Sequence, residues 1–191
     1  MYISIGIIVC FSLFLLFDVN DVYWKKRAGR HLFTVGMVGV IFISTIVCGD
    51  AVLTLGVENL RFWLLLVAAG VCLILLIYSL YFAIPSDEAY GKNTITMEGR
   101  IACTEGMYAL SRHPSVLWMA CIYAFLYLAL PTERMLLLFL ATTICNVLYV
   151  MIQDIWTFPN LFQNYEDYKK ETPFLLPNPR SLKRCITTWK R

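Results

Sequence analysis

The stretch Gly106-Met107-Tyr108-Ala109-Leu110-Ser111-Arg112-His113-Pro114 runs straight into a long apolar segment. Arg112 offers a planar fork for a carboxylate or a phosphate, and a helix opening at Pro114 adds backbone N–H donors beside it. One apolar run later, Gln153 and Asp154 supply acceptors suited to an ammonium or a ribose. A third group follows in Tyr165-Glu166-Asp167-Tyr168-Lys169-Lys170-Glu171-Thr172-Pro173-Phe174-Leu175-Leu176-Pro177. Tyr108, Tyr165, Tyr168 and Phe174 present aromatic faces for a flat ring or a cationic centre. A zwitterionic ligand with a purine and a positive centre finds every group it needs here. No nucleophile–base pair, metal cage or phosphate-cradling glycine loop accompanies these residues. The chemistry therefore fits a bound cofactor that carries its own reactivity, with Arg112 and Asp154 as the charged groups at the reacting centre. Arg and Tyr also serve as snorkelling and belt residues at membrane borders, so composition alone leaves an interfacial role open.

The elements that must hold these groups are read from the apolar runs. Of 191 residues, 59% are hydrophobic and 15% charged, against roughly 25% charged in a soluble domain. Charge-free runs predict membrane spans at about 1–17, 32–49, 62–84, 114–131 and 135–154, the bilayer core needing about 20 helical residues. The first run lacks a basic n-region and a small-x-small cleavage site, so it reads as an uncleaved span. The expected fold is all-α: one integral membrane domain of five helices, a cytoplasmic segment 85–113 and a cytoplasmic C-terminal cap 155–191. Every Lys and Arg except Arg61 and Arg134 falls on one face if the spans alternate, which puts the N-terminus outside and the C-terminus in the cytoplasm. This distribution accounts for the net charge of +3 without a nucleic-acid partner. The seven cysteines show no C-x-x-C pair and read as buried thiols, with no metal expected.

Local signals position the site. Pro114 is a natural first helical residue, and His113 before it is biased away from helical geometry. Only 131–134 joins the last two spans, so they must form an antiparallel hairpin that returns Asp154 to the level of Arg112. Residues 160–170 read as a helix with Leu161, Tyr165 and Tyr168 on one face, broken at Thr172-Pro173. The last dozen residues read as a basic amphipathic helix on the membrane surface, with Leu182, Ile186 and Trp189 together. Within 86–111, Thr94-Ile95-Thr96-Met97 alternates weakly. His31, Trp24, Trp63 and Trp156 read as interfacial residues.

The order of the clusters adds a further expectation. Gly-x-Tyr-x-x-x-Arg-His-Pro before a span, an acidic end to the next span, then Tyr-x-x-Tyr-(x)4-Pro-(x)3-Pro resembles the isoprenylcysteine carboxyl methyltransferase family. Its wider group includes the membrane phospholipid N-methyltransferases. The likeness covers the C-terminal half, from about Thr104 to Pro177. It implies S-adenosylmethionine as cofactor, bound at the cytoplasmic ends of the last two spans, and a lipophilic small-molecule or lipid acceptor entering from the bilayer. By that resemblance Tyr108, Arg112 and His113 line the cofactor pocket from one side, and Tyr168, Leu176 and Pro177 from the other, with Gln153 and Asp154 where relatives carry paired Glu. The family pattern continues Arg-His-Pro-x-Tyr-x-Gly, whereas this chain has Val116 and Trp118 there. Trp118 is therefore expected to shape the acceptor path. A phospholipid amine acceptor, a non-catalytic lipid-binding protein of the same fold, and a membrane reductase are the competing expectations.

Overall fold

Long uninterrupted apolar sequence with polar or glycine punctuation folds here entirely as helix. The computed structural model describes residues 2–57, 59–82 and 100–189, and among them no strand occurs. The principal helices are α1 (Tyr2–Val19), α2 (His31–Leu55), α3 (Leu60–Ile77), α4 (Met107–Leu110), α5 (Pro114–Ala129), α6 (Glu133–Ile152), α7 (Phe158–Leu161), α8 (Tyr165–Glu171) and α9 (Pro179–Thr188). α1, α3 and α6 each run on into a wider turn, at Asn20–Trp24, Tyr78–Phe82 and Gln153–Thr157. Four of these continuous segments, Tyr2–Trp24, Arg27–Leu55, Leu60–Leu80 and Glu133–Leu161, are long and apolar enough to cross a membrane. The chain is a multi-pass membrane protein.

Several boundaries differ from those the sequence predicts. The second apolar element extends six residues past Gly49, because Ala51, Val52 and Leu53 continue the apolar surface until Gly56 ends the helix at φ 73°. The fourth, at 16 residues, spans only about 24 Å, shorter than the bilayer core, because Leu130 leaves helical geometry ahead of Pro131. The predicted helix over 160–170 is two pieces, α7 and α8, since Phe162 adopts an extended backbone between them. The end of the third predicted span, the 85–99 part of the polar segment with Thr94–Met97, and Lys190 and Arg191 lie outside the described residues.

Caps fix where the helices start. The Asn59 side chain accepts from the Arg61 N–H at 2.9 Å and opens α3, and Thr132 Oγ1 accepts from Met135 N–H at 3.2 Å and opens α6. Asn178 and Ser181 form a reciprocal capping box on α9. Asn20 closes the turn after α1 by pairing with both the N–H and the carbonyl of Lys26, at 3.0 and 3.1 Å.

Packing gathers the polar ends on one side. α1 lies against α2 and α6, while α5 lies between α3 and α6. Asp50 near the end of α2 pairs with Arg134 at the start of α6, and Arg61 at the start of α3 reaches the Leu128 carbonyl near the end of α5. Those contacts mark the far end of the bundle. At the near end meet the last turns of α1, α3 and α6, the stretch 100–114 and the C-terminal helices. The core between them is apolar and aromatic, with Ile7, Phe11, Phe14, Val116, Leu138 and Tyr149 all buried.

Candidate functional site

Arg112 and Asp154 meet at the near end. Arg112 Nε and Nη2 donate to the two carboxylate oxygens of Asp154 at 2.8 and 2.9 Å, a bidentate pair with side chains only 10% and 12% exposed. Nη1 donates to the carbonyls of Lys169 and Thr172 at 3.2 and 2.7 Å, so the same guanidinium caps the C-terminal end of α8. The backbone joins in: Arg112 N–H donates to the Pro173 carbonyl at 3.0 Å, and Ser111 Oγ donates to the Phe174 carbonyl at 3.0 Å. Arg112 therefore spends its fork on Asp154 and on α8. The fork that the sequence offered to a ligand is bound within the protein.

Asp154 is equally committed. Tyr165 donates its phenol to Oδ1 at 2.6 Å, and His113 Nε2 lies 3.4 Å from the same oxygen. His113 stacks on Phe158 at 5.5 Å and meets the edge of Phe174 at 5.3 Å. Burial holds the His113 imidazole below its ordinary range, outweighing the nearby carboxylate. Burial likewise pushes the phenols of Tyr108, Tyr165 and Tyr168 well above theirs, with the Asp154 hydrogen bond adding to the effect at Tyr165. All three remain protonated donors. Tyr168 uses its proton on the Tyr108 carbonyl at 2.6 Å, and Tyr108 on the Ser79 carbonyl at 2.9 Å, which ties α8, α4 and the end of α3 together.

Beside this network lies a cavity of about 290 Å³, open in part to the surface. Its volume is at the lower end of small-molecule sites. Of the residues predicted for the cofactor, Tyr108, Arg112, Gln153 and Tyr168 line it. His113 and Asp154 stand behind that wall. Leu176, 77% exposed, and Pro177 are not part of the lining, nor is Trp118 on α5. The Trp118 indole N–H is instead buried with no hydrogen-bond partner among the described residues.

The cavity also contains residues that the sequence reading passed over. Asp18 and Asp21, in and just after α1, face it together with Arg100, Thr157 and Phe158. Arg100 Nη1 donates to Asp21 at 2.9 Å. Asp18 is 2% exposed and accepts from Tyr149 and Thr157 at 3.1 Å each, with Gln153 at 3.5 Å. The stretch carrying Arg100 is held by Asn164, whose amide donates to the Ala102 carbonyl at 3.1 Å while its carbonyl accepts from Ala102 N–H at 2.7 Å. A signal for Asp18 did exist. A carboxylate continuing an apolar helix is costly to keep in a membrane protein and marks a functional position. Ending the first span at Phe17 because a charge follows it hid that signal.

Among the described residues no group of three or more His, Cys, Asp or Glu could hold a metal ion. No family model matches the chain, and neither does any curated protein or solved structure. What the fold and the site define is a multi-pass helical membrane protein with a largely apolar and aromatic cavity, carrying a few charged groups, at one end of its helices.

Proposed function

We propose that the protein is a membrane methyltransferase that uses S-adenosylmethionine and acts on a small lipophilic acceptor. The observation that carries this reading is the cavity itself. It combines carboxylates (Asp18, Asp21), guanidinium groups (Arg100, Arg112) and aromatic rings (Tyr108, Phe158), where the two sequence clusters converge. This donor set fits the cofactor: Arg100 suits its carboxylate, the aromatic rings its purine, and the acidic residues its positive groups, while Arg112, its fork spent on Asp154 and α8, holds the wall.

When bound, S-adenosylmethionine supplies an electrophilic methyl group: an acceptor lone pair takes it, the carbon–sulfur bond breaks and sulfur keeps the electrons. The work left to the chain is to align the partners and exclude water. The tyrosines that link α3, α4 and α8 hold the cavity wall in place for that purpose. An alcohol, or an amine that is protonated at neutral pH, would also need a base. The buried phenols stay protonated, both oxygens of Asp154 are committed to Arg112, His113 and Tyr165, Asp21 is paired with Arg100, and Asp18 already accepts from three side chains. An acceptor that reacts as an anion, a carboxylate or thiolate on a lipophilic body, is therefore favoured over a phospholipid amine.

The reading includes α5 as a fifth span, its shortness met by local bilayer thinning, and it puts the site end and the C-terminal cap in the cytoplasm. The basic residues gathered at that end, among them Lys25, Lys26, Arg27 and Arg30, support this orientation. The test is incubation of the purified protein with methyl-labelled cofactor and a total lipid extract, followed by fractionation. Label should enter an organic-soluble product only with the folded protein. A folded protein that binds no cofactor and labels no product would support the non-catalytic lipid-binding alternative.

A further inference from the structure

Among the described residues, the charges around the cavity do not cancel. Arg100 is matched by Asp21 at 2.9 Å, and Arg112 by Asp154. Asp18 has no cation within ion-pair distance among the described residues; its partners are a phenol, a hydroxyl and an amide. Among the described residues the wall therefore carries one uncompensated negative charge, held at a buried position by α1 and α6. Removing a carboxylate from water without a counter-charge is costly, and the cost is offset when a cation occupies the space it faces.

The hydrogen bonds narrow down which cation. An ionised carboxylate has about four acceptor positions, and three of them on Asp18 are already taken by side chains. An ammonium needs free acceptors for its N–H groups. A sulfonium has no N–H or O–H, and is drawn by charge and by weak contacts from its polarised C–H groups. A carboxylate with most of its acceptor positions filled but its charge unmatched suits the second kind of ion.

Resting on the methyltransferase reading above, we propose that Asp18 is the residue that recognises the sulfonium of the donor, making the site selective for the charged cofactor over its neutral product. Transfer of the methyl group leaves a neutral thioether. The attraction to Asp18 then disappears, and the spent cofactor is held less firmly than the donor. Asp18 is a binding group in this account. It takes no proton and forms no bond, and its loss is expected to raise KM for the donor more than it lowers kcat.

The experiment measures dissociation constants of S-adenosylmethionine and S-adenosylhomocysteine for the detergent-purified wild-type protein and for Asp18→Asn, by calorimetry. Wild type should prefer the sulfonium by about tenfold or more. Asp18→Asn, with shape and most hydrogen bonds kept, should bind the two compounds about equally, with affinity for the thioether unchanged. A variant that weakens both compounds by the same factor, or neither, overturns the assignment. Should Asp18→Asn fail to fold, wild type alone decides: equal affinity for the two compounds overturns the role of Asp18 and leaves the cofactor reading standing. Binding of neither compound by wild type overturns the cofactor reading, and the assignment with it.

Discussion

At the scale of single residues, Arg112 illustrates how burial decides what an ion pair is worth. Its bidentate pair with Asp154 is largely buried, whereas the Arg134–Asp50 pair at the other end has side chains 64% and 48% exposed. Breaking a buried pair by removing one partner costs about 3–5 kcal/mol, because the other charge is left stranded. Exposed pairs contribute about 0–1 kcal/mol. Arg112→Ala is therefore expected to lower the thermal midpoint substantially and Arg134→Ala hardly at all, measured by unfolding in detergent. Equal effects would remove the structural role assigned to Arg112. His113 adds a pH dependence with a definite sign. Its folded pKa lies below the ordinary 6.5 because the ring is buried, so between the two values the unfolded chain binds a proton that the folded chain does not. The stability it contributes is complete above about pH 6.5 and falls as the pH drops below it. His113→Gln should flatten the pH profile of the thermal midpoint in that window, and an unchanged slope would assign the acid sensitivity to another group.

Among the elements, the close approach of α1 and α2 depends on glycine. A Cβ at Gly36 would lie 2.9 Å from the Cys10 carbonyl oxygen and 2.6 Å from the Phe14 ring, neither free to retreat. Gly49, on the same helix, has open space around it. Gly36→Leu should destabilise by about 1–3 kcal/mol or more through overpacking. Gly49→Ala should be neutral or gain up to about 1 kcal/mol from helix propensity. Thermal midpoints of the two variants check this, and similar shifts would mean that α1 and α2 do not pack through Gly36. The same elements show what could be read in advance. Apolar runs revealed the helices, and Pro114 and the 131–134 turn revealed the return of Asp154 to Arg112. Two things were not legible. The pairing of Arg112 with Asp154 follows from three-dimensional proximity, and sequence spacing cannot tell a fork aimed at a ligand from one aimed at a carboxylate of the same protein. The contribution of α1 depends on a parallel contact with α6 that brings Asp18 beside Tyr149, Gln153 and Thr157, residues far from it in sequence.

For the molecule as a whole, α1 and α6 run side by side with their last turns at one end, and the C-terminal helices fold back over that end. The cavity is thereby walled by the first helix, the segment 100–103, α4 and the C-terminal half. A ligand that occupies it bridges parts of the chain that are distant in sequence, so binding should stabilise the whole fold. By linkage, a ligand specific for the folded state raises stability by about 2.7 kcal/mol at a hundredfold excess over its dissociation constant. The most direct measurement is calorimetric titration of S-adenosylmethionine into the purified, monodisperse protein, paired with a thermal midpoint at saturating ligand. Saturable binding with a raised midpoint is the predicted result. Absence of both heat and midpoint shift at millimolar S-adenosylmethionine, in a protein shown to be folded, would contradict the account.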